Sequence, residues 1–329
     1  MTLSIIIVSY NTAQLTVDAV NSVLNDLASY QPLAEKTEII IVDNNSHDDS
    51  KAMLKRLAKS SKVVPISLIY NQENLGFAQA NNQGIKQATG EFILLLNSDT
   101  RVQPGALTQL INSFTKHPLD GTTARLSSHQ GKLDHLGILA ASLLNEDGSY
   151  QPQGGSLPTL TRLAVQMLLL DDLPLIGKLL PTVQETGLAG ARKTHSSSQL
   201  QQKGWVAGTA MMIRRQVIEE VGMLDPNIFM YGEDIEFCLR AKNKHWDVAL
   251  DPQAKVVHLG SASSSSEQAI WGEIKAYLYI WAKHKPHWQR RFLKMILYLG
   301  IVLRICLYRF AVKNKKLAKT YQQALNLLD

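Results

Sequence analysis

An uninterrupted apolar run at residues 92–96 is the feature that most limits what this chain can fold into. The run ends at three polar residues, Asn97, Ser98 and Asp99. An apolar run of this length predicts a strand covered on both faces, which is typical of a parallel sheet. Ligands of open α/β sheets bind beyond the carboxyl ends of such strands, and hard divalent cations prefer oxygen ligands. Asp99 could therefore hold a cation, although a capped strand end is the simpler interpretation of one isolated run.

The same pattern occurs twice earlier in the chain, at residues 4–8 and 38–42. Segments with apolar residues at helical spacing separate these runs, so strands and helices alternate through residues 1–117. This alternation predicts an α/β fold with a Rossmann-like, mostly parallel central sheet, right-handed crossovers and flanking helices.

Three predicted strands end in polar clusters, at residues 9–11, 43–45 and 97–99. Polar turns after strands are common, but parallel strands bring these clusters to one edge of the sheet, which suggests a nucleotide site. The Asp43 carboxylate could accept a hydrogen bond from a ribose hydroxyl or a base N–H. Neither form of Gly-rich phosphate loop follows the first strand. The phosphate charge would therefore need another partner, and a metal held by Asp99 would supply one.

The pattern is less regular in residues 118–202. Residues 159–180 are mostly apolar and predict a helix, whereas residues 191–202 are small and polar. We expect an insertion that borders the active site and binds the acceptor. A helix packed on the sheet is an equal alternative.

Regular structure is predicted again from residue 205. A strand is expected at residues 205–215, then a helix that ends before Gly222, then strand-like segments at residues 245–250 and 255–258.

Two acids, Glu233 and Asp234, fall in the first turn of a further predicted helix. The helix dipole favours acids at this position, which is the structural explanation. The functional explanation is a carboxylate held beside a cavity as a general base. His258 follows a predicted strand, where most histidines are only hydrogen-bonded, but it is also the plausible nitrogen ligand for a metal near Asp99.

The composition is that of a globular protein with a substantial core, with 329 residues of which 45% are hydrophobic and 19% charged. The two cysteines, Cys238 and Cys306, have no metal-ligand spacing and indicate a reducing compartment. The first residues lack a basic region and a small-residue cleavage site, so we interpret them as a first strand and not as a signal peptide.

The C-terminal region is basic. Eleven Lys and Arg residues and no acid lie between Lys283 and Lys319, so the rest of the chain has an excess of acids. Residues 267–284 predict an amphipathic helix, and residues 288–310 predict a basic helix with aromatic flanks. Its apolar run at residues 295–303 is shorter than the ~20 residues of a membrane span.

We therefore expect the C-terminal helices to lie on a membrane surface. The alternative is a helix pair packed on the domain or on a second copy of the chain as a homodimer. Nucleic acid is not an expected partner, because no binding module surrounds the charge.

Taken together, six motifs resemble those of family-two glycosyltransferases, with most similarity to the bacterial rhamnosyltransferase-like branch. They are Ser9-Tyr10-Asn11, Asp43-Asn44-Asn45-Ser46, residues 74–82, Leu96-Asn97-Ser98-Asp99, Trp205-Val206-Ala207-Gly208 and residues 230–234. The resemblance implies a GT-A fold and inverting hexosyl transfer from a nucleoside-diphosphate sugar, with Mg²⁺ or Mn²⁺.

The resemblance also implies roles for individual residues. Asp234, with Glu233 beside it, would be the catalytic base, and Asp99 and His258 would hold the metal. The residues expected to bind the nucleotide sugar are Ser9, Tyr10, Asn11, Asp43, Asn45, Asn74, Gly76, Phe77, Asn81, Asn97, Ser98, Asp99 and Gly208. Two positions depart from the family pattern, since the metal motif has a single carboxylate and Gly232 stands where a bulky residue is common.

The expected reaction moves a sugar, with rhamnose as a candidate, from a dTDP- or UDP-sugar to a glycan or polyprenyl-linked acceptor of a bacterial cell-surface polysaccharide such as O-antigen. The expected location is the cytoplasm, at the inner face of the cytoplasmic membrane. The expected domains are a glycosyltransferase domain at residues 1–265, divided into a nucleotide half (1–117) and an acceptor half (118–265), and a helical region at residues 266–329. The alternatives are a sugar nucleotidyltransferase and a non-catalytic nucleotide-sugar-binding module.

Overall fold

The computed structural model describes residues 1–117, 135–173, 180, 182–185, 199–260 and 266–328. Most of the small polar stretch at residues 191–202 lies outside these residues.

The first half of the chain alternates between strands and helices, as predicted. The strands are β1 (Leu3–Ser9), β2 (Thr37–Asp43), β3 (Ile66–Tyr70), β4 (Phe92–Asn97) and β5 (Thr100–Val102). The helices are α1 (Ala13–Ala28), α2 (Gln31–Ala34), α3 (Ser50–Ser60), α4 (Gly76–Gln87) and α5 (Ala106–Lys116).

Strands β3, β2, β1 and β4 lie side by side and run parallel. Ser9 of β1 pairs with Asp43 of β2, and Val8 pairs with Asn97 of β4, so the three predicted polar clusters meet at one edge. Apolar side chains cover both faces of these strands, because alternate residues enter two separate cores.

The second half extends the same sheet. Its strands are β6 (Leu136–Leu144), β7 (Tyr150–Gln151), β8 (Gln201–Lys203), β9 (Ala210–Arg214) and β10 (Asp247–His258), and its helices are α6 (Leu160–Met167), α7 (Arg215–Val221) and α8 (Glu233–Asn243). Strand β9 runs antiparallel to both β4 and β6, whereas β10 runs parallel to β6 and antiparallel to β5. The sheet is therefore mixed: the four strands β3, β2, β1 and β4 of the first half are parallel, and the second half adds antiparallel pairings and one parallel pairing, β6 with β10.

Three boundaries in this half differ from the sequence-based expectations. The strand expected at residues 205–215 begins only at Ala210, since residues 207–209 line a cavity. The two strand-like segments after residue 245 are one strand, β10, with an irregular pairing between Asp251 and Lys255. The helix expected over residues 159–180 ends at Met167, because Leu169 adopts a left-handed conformation with φ of 59°.

Three helices form the C-terminal region: α9 (Ser266–His284), α10 (Gln289–Cys306) and α11 (Lys315–Ala324). Tyr277 and Trp281 of α9 and Leu297 of α10 belong to the same core cluster as Trp205 and Phe237. The helices thus pack on the sheet domain, so the division of the chain at residue 265 stays a prediction.

A buried ionic network also joins α8 to α9. The Glu236 carboxylate is fully buried and accepts hydrogen bonds from Arg240 on its own helix and from Lys283 and His284 on α9, at 2.8–2.9 Å. These partners hold the pKa of Glu236 below its ordinary value despite burial. A buried carboxylate with three cationic or hydrogen-bonding partners fixes the position of α9 against α8.

Candidate active site

A cavity of about 560 Å³ lies at the carboxyl ends of β1 and β4. Helices α8 and α9 form its opposite wall. The volume is typical of sites that enclose a small ligand, and the position is where α/β sheets bind theirs.

Most of the predicted site residues line this cavity. They are Tyr10, Asn74, Gly76, Phe77, Asn97, Ser98, Asp99, Gly208, Glu233, Asp234 and His258. These residues come from six separate parts of the chain, and the fold brings them together around one cavity.

Five predicted residues lie outside the cavity wall: Ser9, Asn11, Asp43, Asn45 and Asn81. The Ser9 hydroxyl is buried and hydrogen-bonds to Thr16 at 2.8 Å. The Asn11 side chain accepts from the backbone N–H of His47 at 2.8 Å, and the buried Asn81 side chain donates to the Phe77 carbonyl at 2.9 Å. Asn11 and Asn45 also adopt positive φ angles of 52° and 69°. These hydrogen bonds and backbone angles stabilise the structure around the strand ends, and the side chains themselves do not line the cavity.

The two oxygens of the Asp43 carboxylate have different hydrogen-bonding environments. One oxygen accepts from the backbone N–H of Ser46 at 3.0 Å, whereas Oδ2 is buried and has no hydrogen-bond partner in the described residues. A buried acceptor without a partner is rare in native proteins. Asp43 Oδ2 therefore has the capacity to accept one more hydrogen bond, although Asp43 does not line the cavity.

An amide network fixes the loop at residues 74–76. Asn44 donates to the Asn74 side chain at 2.7 Å and accepts from Asn71 at 2.9 Å. The Asn74 oxygen also accepts from the Gly76 N–H at 2.9 Å. Gly76 has a φ of +79°, and a Cβ there would overlap Phe229. Asn44 lines the cavity and was not among the predicted binding residues, although its motif was recognised.

Asp99 and His258 face each other across the antiparallel pairing of β5 with β10. His258 Nε2 lies 3.4 Å from Asp99 Oδ1, and His258 Nδ1 lies 2.9 Å from the Gln151 side-chain oxygen. If Nδ1 carries the proton for Gln151, Nε2 is left free to act as a ligand. Asp99 is 2% exposed, and both its Oδ1 and the Oδ1 of Asn97 lack a hydrogen-bond donor in the described residues.

These atoms could supply part of the coordination of a divalent cation. Within the described residues, no group of three His, Cys, Asp or Glu side chains could hold a metal on its own. Mg²⁺, however, is commonly bound by one or two carboxylates together with substrate phosphates. Asp99 supplies one such carboxylate, and His258 Nε2 lies close enough to add a nitrogen ligand for a softer cation such as Mn²⁺.

Glu233 and Asp234 begin α8 after a left-handed Gly232, whose φ is +93°. A Cβ at Gly232 would collide with the Cβ of Ala276 on α9. The departure from the family pattern at this position thus has a physical reason, since α9 occupies the space that a bulky side chain would need.

The two carboxylates are held differently. Asp234 accepts from the backbone N–H of Ile235 at 2.7 Å and from that of Gly208 at 3.3 Å. Glu233 is buried, and its Oε2 has no partner in the described residues. Burial raises the pKa of both groups above ordinary values, and the neighbouring charge of Asp234 raises the pKa of Glu233 further. A carboxylate with a raised pKa is a stronger base near neutral pH.

Helix α9 adds four cavity residues that the sequence analysis missed, and two of them, Glu273 and Tyr277, are polar. Glu273 Oε1 accepts from Tyr277 at 3.1 Å, from Gln184 at 3.0 Å and from Gln166 at 3.2 Å. Burial raises the pKa of Glu273. The sequence signal is the spacing of four residues between Glu273 and Tyr277, which places both on one helix face.

The mixed α/β sheet, whose parallel strands end at a cavity with carboxylates on both walls, is the arrangement expected of a GT-A fold. Residues 4–163 match the family model described as Glycosyl transferase family 2. Residues 4–163, just under half of the chain, thus match a glycosyltransferase family 2 domain, and this similarity supports glycosyl transfer from a nucleotide sugar as the class of activity. The predicted family and fold are confirmed.

Two curated relatives illustrate the range of similar proteins. The N-acetylglucosaminyl-diphospho-decaprenol L-rhamnosyltransferase of Mycobacterium tuberculosis is 22% identical over 277 residues, which is 80% of this chain and 79% of the relative. The poly-beta-1,6-N-acetyl-D-glucosamine synthase of Staphylococcus aureus is 29% identical over 163 residues, which is 48% of this chain but only 37% of the synthase.

Solved structures agree on the fold. GalNAc-T7 with UDP, GalNAc and Mn²⁺ superposes with a TM-score of 0.56 at 16% identity, over 94% of this chain and 58% of that chain. Staphylococcus aureus TarS 1–349 with UDP-GlcNAc gives a TM-score of 0.54 at 16% identity, over 100% and 80%. The mannosyltransferase PcManGT of Pyrobaculum calidifontis with GDP-Man and Mn²⁺ gives 0.55 at 13% identity, over 99% and 83%.

Proposed function

We propose that this protein is an inverting, metal-dependent glycosyltransferase that moves a hexose from a nucleoside diphosphate to a lipid-linked acceptor. One observation carries the proposal. Asp99 with His258, and Glu233 with Asp234, line the same cavity from different elements. Glycosyl transfer needs such a division, with charge stabilisation for the leaving diphosphate and a base for the acceptor hydroxyl.

The strand-end residues would bind the donor. Asp43 Oδ2, which has no hydrogen-bond partner among the described residues, would accept from the nucleoside. Tyr10, Asn44 and the fixed loop at residues 74–77 would lie along the diphosphate sugar. Asp99 and His258 would hold Mg²⁺ or Mn²⁺, which supplies positive charge to the departing diphosphate when it is bound.

Asp234 would act as the base. The acceptor oxygen forms its bond to the anomeric carbon as the bond to the diphosphate breaks, and the hydroxyl proton goes to the Asp234 carboxylate. The backbone N–H groups of Gly208 and Ile235 donate hydrogen bonds that fix the orientation of this carboxylate. A single displacement of this kind inverts the anomeric centre and needs no nucleophilic side chain.

The name of one relative suggests a candidate acceptor and donor. The mycobacterial relative is named for transfer of L-rhamnose to a diphospho-decaprenol-linked sugar. We propose rhamnose from dTDP-rhamnose as the first donor to test, a polyprenyl-diphosphate glycan as the acceptor class, and the inner face of the cytoplasmic membrane as the place of reaction.

The test is a screen of binding and slow hydrolysis with dTDP-, UDP- and GDP-sugars, with and without Mn²⁺. The proposal expects one nucleoside to be preferred, and expects Mn²⁺ to strengthen its binding. Binding without any turnover of donor, with acceptor extracts present, would support a non-catalytic module instead. Release of inorganic diphosphate from a sugar phosphate and a nucleoside triphosphate would support a nucleotidyltransferase.

A further inference from the structure

Helix α10 is apolar on two opposite faces. Leu293, Ile296, Leu297 and Ile301 are buried against the rest of the protein. The other face carries the apolar stripe, which consists of Trp288, Phe292, Met295, Leu299 and Leu303. Steps of three and four residues keep these five side chains on one side of the helix.

The apolar stripe is exposed along its whole length. Trp288 is 61% exposed, and Phe292, Met295 and Leu299 are each about half exposed, at 49%, 51% and 47%. From Trp288 to Leu303 the stripe is roughly 22 Å long at 1.5 Å per residue. Contiguous apolar surface of this length is unusual on a protein that meets only water, and marks an interaction site.

Exposed positive charge is concentrated in α10 and in the segment that follows it. Arg291, Arg309, Lys313, Lys315 and Lys316 are exposed, and residues 283–319 contain no acid. Basic residues beside an apolar, aromatic face are the features that bind a helix to an anionic lipid surface.

Other occupants fit less well. A second copy of the chain docked on the stripe by two-fold symmetry would place one basic segment against another, with no acids there to neutralise them. A nucleic acid would use the charge but not the Leu and Met side chains. In the described residues no helix is long and apolar enough to pass through a bilayer.

The stripe is also linked to the cavity. Glu273 and Tyr277 of α9 line the cavity, and Trp281 near the end of the same helix packs in one core with Leu293 and Leu297 of α10. A surface that held α10 would therefore hold one wall of the cavity at a fixed distance from it.

We propose that the apolar stripe, together with the exposed basic residues of α10 and of the segment after it, forms the surface by which the protein lies on an anionic phospholipid leaflet, with α10 in the headgroup plane. The purpose of this contact rests on the proposed function, because a polyprenyl-linked acceptor would be presented from that leaflet.

The test is flotation of the full chain with phosphatidylcholine vesicles, with and without phosphatidylglycerol. Phe292→Ser/Leu299→Ser should reduce binding to the anionic vesicles by roughly tenfold or more. The matched control is Tyr30→Ser/Val63→Ser, which removes two side chains of similar exposure, 48% and 53%, from another surface and should leave binding unchanged. Arg291→Gln/Lys315→Gln/Lys316→Gln should weaken binding to anionic vesicles and make it less sensitive to salt.

Equal flotation of the stripe variant, Phe292→Ser/Leu299→Ser, and the wild type would overturn the proposal. So would a lipid-free dimer, seen by sedimentation, that the stripe variant converts to a monomer. Thermal unfolding of each variant establishes that it is folded. Donor binding is measured on the same proteins, so a failure of the proposed function would appear there and not in flotation.

Discussion

On one side of the cavity, Asn44, Asn71 and Asn74 satisfy one another's amide groups before any ligand binds. On the other side, α8 and α9 bring in Glu233, Asp234 and Glu273, and each has a pKa raised by burial. We call these the strand-end side and the helix side. The amide network fixes the strand-end side before a ligand binds, whereas the helix side holds carboxylates in an environment that favours their protonation. Under the proposed function, donor binding and proton transfer would belong to separate walls.

Substitution of Asp234, on the helix side, is expected to have the largest effect on activity. Asp234→Asn keeps the shape of the side chain but removes the base, so we expect turnover to fall by ~10²–10⁴-fold with donor affinity nearly unchanged. The measurement is transfer to the native acceptor beside calorimetric donor binding. The control is Glu233→Gln, which should cost less. Small and equal losses in both variants would mean that the pair only begins its helix, and a larger loss in Glu233→Gln would move the base by one residue.

The next largest effect is expected on the strand-end side. Asp99→Asn should weaken Mn²⁺-dependent binding of the nucleoside diphosphate by about 10²-fold, because it removes the only carboxylate of the motif. His258→Ala should weaken the same binding by about tenfold. Calorimetry with and without Mn²⁺ separates the two variants. Unchanged metal dependence in either one removes that residue from the metal site.

The strand-end side was predictable because its signals are local. Residues 92–96 and the polar cluster after them are adjacent in sequence, and parallel pairing alone brings Asp43 and Asn97 to one edge. Even there, the sequence could not show that Ser9 and Asn11 bond to other parts of the fold while Asn44 reaches the cavity.

The helix side was only partly predictable. Asp234 stood out by its motif, but Glu273 enters the cavity only because α9 packs against residues 230–233 across long sequence separation. The sequence analysis expected the C-terminal helices to lie on a membrane surface, with packing on the domain or on a second copy as the alternative. Hydrophobic periodicity could not reveal that α9 lines the cavity.

The contact between α9 and the start of α8 can be tested by stability. Gly232→Ala adds a methyl group against Ala276 at a φ of +93°, and we expect a loss of about 2–4 kcal/mol in the free energy of unfolding. The control is Gly148→Ala, where φ is +82° and nothing lies within 4 Å of the added Cβ, so the loss should be only about 1–2 kcal/mol. If Ala276→Gly fails to restore part of the difference in urea unfolding, the clash is not the cause.

The smallest expected effect concerns Glu273 and its dependence on pH. Burial raises the pKa of Glu273 above its ordinary value of 4.5, so the folded protein binds this proton more tightly than the unfolded chain does. The stability that the carboxyl contributes is therefore present at acid pH and is lost as pH rises through its folded pKa. Glu273→Gln keeps an acceptor for Tyr277 and does not titrate. Its stability relative to the wild type should consequently rise between about pH 5 and pH 8, as measured by urea midpoints. If the stabilities of the two proteins change with pH in the same way, Glu273 is ionised as easily in the folded state as in the unfolded one. Of the three helix-side carboxylates, only Glu233 and Asp234 would then have a raised pKa.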